Sequence, residues 1–402
     1  MPILAYGSVP HASGTFTFYR NLRRELAPLG WDVRCLAVGA ADAALWDSAF
    51  ADEGCVQLAS DQDQPREMSR AFVAWAQREG VRAVMPMNSV ALLSAMPHLP
   101  QGLSAVTRVP NTSDYGYAVA TAYPDRTARV VATTPRHVAD LQARAPALFD
   151  RVRLVPHGIE PSAFAGRPVA QPGESLRLAY LGRFDHRFKG TLFLPPILEA
   201  LANRGVDVRL SIAGGGGEEN ALRAALAPFH SGVRFVGTIP PKDVPGFLHE
   251  ADVLLFPSQS EGFGFSLIQA AMAGTVPVAS RLPGVTDFTV RDGETGVLCP
   301  VGDVGCFADA VARLDADRDW LAQLSAAAAA DAADRFSADR MAEAYVSVFK
   351  EVETSWTDPP PLPWSAFRMH PAVRPTWRTR IPRPVRVLAR NVLDRLRPAA
   401  QP

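Results

Sequence analysis

Short apolar segments alternate with helical segments along most of this chain, and this alternation strongly limits the folds available to it. In the first half the pattern predicts strand 3–6, helix 16–29, strand 33–38, helix 68–79, strand 83–87, and later strands at 130–133 and 152–156. Strands that alternate with helices are typical of β-α-β units, in which neighbouring strands run parallel. The first half is therefore predicted to be a parallel sheet with helices on its faces.

The same alternation restarts after a turn-rich passage at 166–175, which reads GRPVAQPGES and is typical of a linker. The second half then predicts strand 176–181, helix 192–203, strand 207–213, helix 219–226, and strands 233–236, 253–256 and 276–280. A chain of 402 residues exceeds what one hydrophobic core usually organises, so we expect two domains. The predicted divisions are a first domain at 1–165, a second domain at 166–338, a return helix at 339–358 and a basic tail at 359–402.

Composition narrows the functional classes. Lys plus Arg and Asp plus Glu each number 41, so the formal net charge is zero and no nucleic-acid partner is expected. The N-terminus has neither a basic start nor a long apolar core, and no run reaches the roughly 18 apolar residues of a membrane span, so we expect a cytoplasmic protein. The cysteines lie far apart without metal-ligand spacing, so we expect buried, reduced thiols at Cys35, Cys55, Cys299 and Cys306.

A glycine-rich loop follows an apolar strand in the second half and leads into a helix: residues 257–270 read PSQSEGFGFSLIQA. Gly262 and Gly264 let the backbone approach a ligand, and the first N–H groups of the helix can point at a phosphate. Ser266 and Gln269, three residues later, also fit a capping box. Open α/β sheets bind ligands at this end of their strands, so we interpret the loop as a site for a polar, anionic ligand. The alternative is an ordinary turn with incidental glycines.

A second polar loop follows the strand at 176–181 and has the sequence LGRFDHRFKG, which contains Arg183 and Lys189. Arg183 offers a planar fork of donors suited to phosphate, and Lys189 offers a compact ammonium on a flexible stem. Together the two cations could neutralise a diphosphate. The alternative is a pair of solvated loop cations.

These two loops resemble those of retaining glycosyltransferases of the glycogen synthase and bacterial mannosyltransferase superfamily (glycosyltransferase family four, group 1). That family has a Glu, seven residues and a second Glu where this chain has Glu261 and Gln269, and a Gly-Arg to Lys-Gly frame where it has Gly182 to Gly190. The resemblance covers most of residues 1–353. It implies an α/β protein of GT-B architecture, in which two Rossmann-like, doubly wound domains face a deep cleft.

The resemblance also implies roles for single residues. Glu261 and the backbone amides after it would hold the donor sugar, while Arg183 and Lys189 would stabilise the departing diphosphate, and these three form the predicted catalytic set. Gln269 replaces the acidic residue that holds the nucleotide ribose, and it lacks the charge that makes such hydrogen bonds roughly twice as strong. The donor-binding residues implied are Gly14, Gly182, Gly214, Gly237, Thr238, Ile239, Gly262, Phe263, Gly264, Phe265, Ser266 and Gln269. For Gly14 a plain β-α turn is an equal alternative.

The first domain departs from the family pattern on its side of the cleft. Many relatives place a His there to contact the donor sugar, but residues 107–115 contain none. The candidates for a sugar or acceptor contact are therefore Arg108, Asn111 and Asp114. In the interdomain segment, His157 stands where the family has Asn, and we interpret it as structural.

No metal or other cofactor is expected, because the nucleotide sugar is itself a substrate and two cations are available for its diphosphate. Asp315-Ala316-Asp317 and Asp61-Gln62-Asp63 match the Asp-x-Asp pattern by which transferases of the other major fold hold a divalent ion. Neither follows a convincing buried strand. We interpret both as solvated carboxylates.

The chain ends in an arginine-rich tail after the proline-rich connector at 359–364. On a helix, Val385, Leu388, Val392 and Leu396 would share one face with the arginines mostly elsewhere, a pattern typical of helices on anionic membrane surfaces. The alternative is that this segment packs on the protein body or meets an acidic protein.

The sequence thus predicts a glycosyltransferase, in the first instance a hexosyltransferase, that moves a sugar from a UDP- or GDP-sugar to a glycan, glycolipid or small-molecule acceptor. The resemblance implies that the anomeric configuration is retained without a metal, in polysaccharide or glycolipid synthesis in the cytoplasm or at the inner face of a membrane. Two alternatives stay open: a nucleotide-sugar epimerase of related architecture, for which no acid/base set on both sugar faces is identified, and a catalytically impaired nucleotide-sugar-binding or scaffold subunit.

Overall fold

The chain folds into two parallel sheets flanked by helices, one sheet from each half of the sequence. The computed structural model describes residues 1–10, 14–39, 46–58, 64–87, 89–164 and 175–374. Almost all of the predicted linker at 166–175 lies outside the described residues, as do Asp61-Gln62-Asp63 and the helix predicted around 385–396. The prediction of two Rossmann-like, doubly wound halves is confirmed.

Within the described ranges the first sheet has seven strands, all parallel. They are β1 (Ile3–Tyr6), β2 (Asp32–Val38), β3 (Cys55–Leu58), β4 (Val81–Met85), β5 (Ser104–Arg108), β6 (Thr127–Ala132) and β7 (Val152–Leu154). Their spatial order is β3-β2-β1-β4-β5-β6-β7. The order reverses between β1 and β4, so the crevice of this sheet lies outside the carboxyl ends of those central strands.

Helices cover both faces of the first sheet because their apolar residues recur at helical spacing. On the first helix, Tyr19, Leu22 and Leu26 lie three or four residues apart, and all three are buried in the core beneath β1. The helices of this half are α1 (Gly14–Leu26), α2 (Ala49–Asp52), α3 (Pro65–Glu79), α4 (Val90–Ala95), α5 (Asp114–Ala120) and α6 (Pro135–Arg144), with 3₁₀ turns at Met96–His98, Pro124–Arg126, Pro146–Arg151 and Pro161–Phe164.

The second sheet has six parallel strands among the residues described, in the order β10-β9-β8-β11-β12-β13. They are β8 (Leu176–Leu181), β9 (Val208–Ala213), β10 (Val233–Gly237), β11 (Val253–Phe256), β12 (Val276–Ser280) and β13 (Val297–Cys299). The order reverses between β8 and β11, whose carboxyl ends carry the two polar loops predicted as a site. The helices are α7 (His186–Lys189), α8 (Leu194–Asn203), α9 (Glu219–Leu226), α10 (Val244–His249), α11 (Phe265–Met272), α12 (Thr286–Thr289), α13 (Val304–Ala316) and α14 (Arg318–Arg335), with 3₁₀ turns at Thr191–Phe193, Ala227–Phe229 and Pro241–Asp243.

The last long helix, α15 (Ala338–Ser355), returns to the first domain. Ser337 caps it by accepting a hydrogen bond from the Arg340 N–H. Its residues Met341, Tyr345 and Phe349 are buried in the same core as α1. The chain then continues along the first domain through 3₁₀ turns at Trp364–Ala366 and Pro371–Val373. The described start of the basic tail is therefore packed on the protein body.

Two elements of the first sheet are missing from the sequence-based prediction, β3 and β5. The reason is visible in β5, whose sequence SAVTR carries three polar residues although every one of its five positions is buried. Thr107 can be buried there because its hydroxyl donates a hydrogen bond to the Ala120 carbonyl oxygen at 2.7 Å. A search for apolar periodicity does not identify a strand whose buried positions are polar.

The prediction of four reduced cysteines is wrong for two of them. Cys299 and Cys306 form a disulfide, whereas Cys35 and Cys55 are buried thiols. Cys299 ends β13 and Cys306 lies in the first turn of α13, so the short connection brings their Cα atoms to 5.6 Å, a separation that suits a disulfide. The spacing of the two cysteines in the sequence does not predict the disulfide, because their approach depends on the conformation of the turn between β13 and α13.

None of the helices in the described part of the chain combines the length and the apolar character needed to cross a bilayer.

The two polar loops of the second domain meet at Gly190, which has a positive φ of 62°. A Cβ atom at Gly190 would overlap the carbonyl oxygen of Pro257, the first residue after β11. Gly205, which follows α8, has a similar φ of 73° but open space where its Cβ would lie. Alanine substitutions at Gly190 and Gly205 therefore distinguish two costs in folding free energy. Both pay for a left-handed backbone at a non-glycine residue, but only the substitution at Gly190 would also force the two loops apart.

We expect Gly205→Ala to lower the free energy of unfolding by about 1–2 kcal/mol, the usual cost of a left-handed non-glycine residue. Gly190→Ala should cost more, about 3 kcal/mol or above, because the overlap adds to the backbone cost. Urea unfolding of the two variants beside the wild type measures the difference. Equal losses at the two positions would show that the loops can separate without penalty.

Candidate functional site

Lys189 and Glu261 join the loops after β8 and β11 at the centre of the second sheet. Lys189 Nζ lies 2.6 Å from Glu261 Oε1, and Ser258 Oγ donates to the same oxygen at 2.8 Å. The Glu261 side chain is only 8% exposed, so this ion pair is largely shielded from water. The fold thus brings together two residues of the predicted catalytic set that lie 72 positions apart in the chain.

Arg183 stays open to solvent beside this pair. Its side chain is 69% exposed, and the carboxylate of Asp185 lies 3.9 Å away at the limit of an ion pair. The backbone under it is held by Tyr180, whose hydroxyl donates to the Arg183 carbonyl oxygen at 2.9 Å. Burial, and after it the Glu261 carboxylate, raises the pKa of Tyr180, so the hydroxyl keeps its proton and stays a donor. The guanidinium is therefore available to an anion.

Glu218 fixes the short helix α7 that carries Lys189, and sequence analysis did not identify it. Its carboxylate accepts from the His186 N–H at the start of α7 and from Thr191 Oγ at 3.1 Å. The residue directly follows the run of four glycines at 214–217 and precedes a helix. An acidic residue at the end of a glycine turn was the signal that could have revealed it.

The glycine turn after β9 lies against both neighbouring loops. Gly214 donates its N–H to the Gly237 carbonyl oxygen at 2.8 Å, and a Cβ at Gly214 would overlap the carbonyl oxygen of Gly182. The Thr238 hydroxyl lies 3.2 Å from where a Cβ of Gly215 would be. The structure therefore places Gly182, Gly214, Gly237, Thr238 and the adjacent Ile239 along one edge of the sheet.

The helix α11 begins at Phe265, two residues before the start that a capping box of Ser266 and Gln269 would require. Gly264, with a φ of 86°, is the N-cap residue, so Ser266 lies inside the first turn and does not cap the helix. The Gly264 carbonyl accepts from the Leu267 N–H at 3.0 Å. In the described residues no hydrogen bond engages the N–H groups of Phe265 and Ser266 or the side chain of Gln269. The first N–H groups of a helix that lack an intrahelical partner can bind an anionic ligand.

The Gly262–Gly264 segment approaches the first domain closely. A Cβ at Gly262 would lie 3.2 Å from the Cα of Asn111, which follows β5. The Asn111 side chain accepts hydrogen bonds from the N–H and the hydroxyl of Ser113, at 3.0 and 2.5 Å. Asn111 thus faces through its backbone the loop at 257–264, which we call the donor loop after its predicted role. Gly14, at the start of α1, lies beyond the carboxyl end of β1, while 11–13 are outside the described residues.

The other two first-domain candidates occupy opposite environments. The Asp114 side chain is 90% exposed and pairs with Arg144 at 2.7 Å on the surface. Arg108 is 7% exposed, donates to the ring of His157 and lies over the ring of Phe18. His157 in turn contacts the rings of Phe263 and Phe265, so the residue interpreted as structural lies directly against the donor loop.

The metal-type motif that the structure describes is used for helix capping. Asp317 caps α14 by accepting from the Trp320 N–H at 2.9 Å, and Asp315 pairs with Arg318 at 2.5 Å. Over the described ranges, no three His, Cys, Asp or Glu side chains come together in an arrangement that could hold a metal ion.

Sequence comparison finds a family match within the second half of the chain. Residues 175–317 match the family described as Glycosyl transferases group 1. The chain is 32% identical over 223 residues to a phosphatidyl-myo-inositol mannosyltransferase of Mycobacterium leprae, covering 54% of this chain and 59% of that protein. It is 30% identical over 297 residues to a D-inositol 3-phosphate glycosyltransferase of Acidothermus cellulolyticus, covering 69% of this chain and 63% of that protein. The matched region thus spans about three-fifths of the length of these two relatives.

Solved structures agree with the whole fold. A sucrose-phosphate synthase from Thermosynechococcus elongatus aligns with a TM-score of 0.69 at 21% identity, covering 88% of this chain and 100% of that one. HepE of Anabaena, in complex with UDP, aligns with a TM-score of 0.70 at 16% identity, covering 87% and 100%. These likenesses confirm the GT-B architecture. The predicted resemblance to glycosyltransferases is likewise confirmed, because residues 175–317 match the group 1 family and the two relatives are named as a mannosyltransferase and a glycosyltransferase.

Proposed function

We propose that the chain is a glycosyltransferase that moves a sugar from a UDP- or GDP-sugar to a glycan, lipid-linked or small-molecule acceptor, with retention of configuration and without a metal. The observation that carries the proposal is the Lys189–Glu261 pair beside the exposed Arg183, at the point where the strand order of the second sheet reverses. Relatives named as mannosyltransferase and glycosyltransferase support the reaction class, and HepE, solved with UDP and with UDP-glucose, supports the donor class.

In this proposal the donor diphosphate lies between Arg183 and the open N–H groups of Phe265 and Ser266. As the sugar bond breaks, negative charge grows on the diphosphate, and fixed cations stabilise that charge most where water is excluded. Lys189, which contacts Glu261 at 2.6 Å, would share its charge between Glu261 and the leaving group. The sugar would rest on the backbone at Gly262, with the acceptor entering from the first domain.

A second candidate is a subunit that binds a nucleotide sugar without turning it over. Gln269 favours it, because the position assigned to the ribose lacks a carboxylate and its amide makes no hydrogen bond to the described residues. Donor hydrolysis in the absence of acceptor separates the two candidates, because a transferase releases sugar slowly and a binding subunit does not.

We also propose that the protein works in the cytoplasm, in part at an anionic membrane surface. The support is compositional: after residue 374 the chain carries seven arginines and a single acidic residue, Asp394. Basic segments with an apolar stripe bind anionic lipid surfaces through electrostatic attraction and the burial of apolar side chains together. A lipid-linked acceptor would then be presented at the same surface.

We expect Glu261→Gln to lower the rate of donor turnover about 100-fold, since one polar group of a preorganised site is lost. Arg183→Ala should weaken binding of the nucleoside diphosphate about tenfold, the scale of one hydrogen bond between charged groups. Thermal shift and sugar release, screened with UDP-, GDP- and ADP-sugars, measure both effects.

Arg187→Ala is the matched control for Arg183→Ala. Arg187 lies in the same loop and stacks its guanidinium 5.3 Å from the Phe188 ring centroid, without an ion pair to the described residues. It should bind donor like the wild type. Equal losses from Arg183→Ala and Arg187→Ala would contradict a specific diphosphate contact.

We expect Gln269→Glu to tighten nucleotide binding about three- to tenfold, because a carboxylate forms stronger hydrogen bonds to the ribose hydroxyls than an amide does. Calorimetric titration with UDP and GDP measures the change. Repeating it with analogues that lack the ribose hydroxyls is the control, and there the gain should vanish. A gain of the same size with the analogues would place Gln269 away from the ribose.

We expect the full chain to sediment with vesicles of phosphatidylglycerol and phosphatidylcholine, and a chain ending at residue 374 to remain in the supernatant. Salt should release the full chain, because the attraction is between exposed charges. Pure phosphatidylcholine vesicles serve as the neutral control. Equal sedimentation of both chains would assign membrane binding, if any, to the folded body.

A further inference from the structure

Arg108 is a buried cation at the end of β5, on the first-domain side of the cleft. Its Nη2 donates to His157 Nε2, and its Cζ lies 4.4 Å from the Phe18 ring centroid. Its Nε has no hydrogen-bond partner, and throughout the described ranges no carboxylate forms an ion pair with it. A buried charge is costly unless it is well paired, and an apolar side chain would fill this place more cheaply. Packing alone therefore does not explain why an arginine occupies this position.

His157 connects this cation to the donor loop of the second domain. Its ring centroid lies 4.7 Å from that of Phe263 and 4.3 Å from that of Phe265. Burial, followed by the Arg108 guanidinium and then by His137, holds the pKa of His157 well below its usual value. The ring is thus neutral and can accept the hydrogen bond from Arg108. One polar contact therefore sets the orientation of a ring that two loop residues touch.

Phe263 and Phe265 flank the turn that defines the donor loop. Between them Gly264 adopts a φ of 86° as the N-cap of α11, whose first open N–H groups belong to Phe265 and Ser266. The Phe263 ring is also buried, with its centroid 6.1 Å from that of Phe336. Phe265 is partly buried and packs on the same apolar core. A rotation of His157 would therefore disturb the packing on both sides of Gly264. The loop surface that faces the sugar depends on this ring.

We propose that Arg108 and His157 are positioning residues that hold the donor loop in the shape that binds the sugar half of the nucleotide sugar. The inference rests on the proposed function and deepens it. Arg108 belongs to the first domain and the loop to the second, so the hydrogen bond makes sugar binding depend on the contact between the domains. The nucleoside diphosphate half would also contact Arg183 and the glycine turns, which lie outside the loop that His157 touches, so its binding should depend on this hydrogen bond much less than sugar binding does.

The test compares affinities for the two halves of the donor. Calorimetry measures binding of UDP-glucose and UDP, and of GDP-mannose and GDP, to the wild type and to Arg108→Met, His157→Phe and the double variant. We expect each variant to weaken nucleotide-sugar binding about tenfold while nucleoside diphosphate binding changes less than about twofold. A purely structural role would lower both affinities together or neither.

Arg20→Met is the matched control. Arg20 also stacks on a phenylalanine of the first domain, with its Cζ 4.7 Å from the Phe16 ring centroid, but it is half exposed and pairs with Glu53. It does not contact His157 or the donor loop. Its variant loses an arginine–aromatic contact of the same kind and should keep both affinities.

The double variant keeps the proposal testable if a single variant unfolds. Each single variant leaves one buried polar partner unsatisfied, whereas the double variant replaces both by apolar groups, a change that buried charged pairs often tolerate. We expect it to unfold near the wild-type temperature and still to lose the sugar-specific affinity. A folded double variant with the wild-type ratio of the two affinities would overturn the proposal. A wild type that binds nucleoside diphosphate and nucleotide sugar equally would also overturn it, whereas one that binds neither would overturn the proposed function itself.

Discussion

The candidate site depends on a close backbone contact between the loops after β8 and β11. Gly190 lets the first loop pass directly against the Pro257 carbonyl of the second, where any side chain would collide. That approach brings Lys189 within 2.6 Å of Glu261. Without it the cation that follows β8 and the carboxylate that follows β11 would face separate parts of the crevice, and no single ligand could contact both.

The two domains are joined by more than one chain crossing. The segment that carries His157 leads into the second domain, and a bridge between Ile159 and Ser337 lies where α15 returns to the first. A further contact runs between the domains at Gly284, whose carbonyl accepts from the Arg136 N–H at 3.1 Å. These contacts tie the position of the second domain, and with it that of the donor loop, to the position of the first domain.

Much of the fold follows from apolar periodicity. The strand at 253–256 and the helix at 219–226 were predicted with the bounds that the structure has. Asp252 and Pro257 bound the strand, while the glycine run at 214–217 and Pro228 limit the helix. The site was predicted less completely. Glu218 is absent from the predicted set. Its carboxylate accepts a hydrogen bond from the His186 N–H, and a contact between residues so far apart in the sequence cannot be predicted from local patterns. The disulfide of Cys299 with Cys306 was missed for a different reason: the two cysteines are only seven residues apart, but their approach depends on the turn between β13 and α13.

The sequence by itself determined the two doubly wound halves, the polar loops that follow β8 and β11, and the identity of the charges at Arg183, Lys189 and Glu261. These are local properties, because period, turn chemistry and residue type act over a few positions. Tertiary structure alone decided which of those charges meet, and it placed His157 between Arg108 and the donor loop. Such contacts depend on how two domains pack, and packing is set by surfaces distant in sequence.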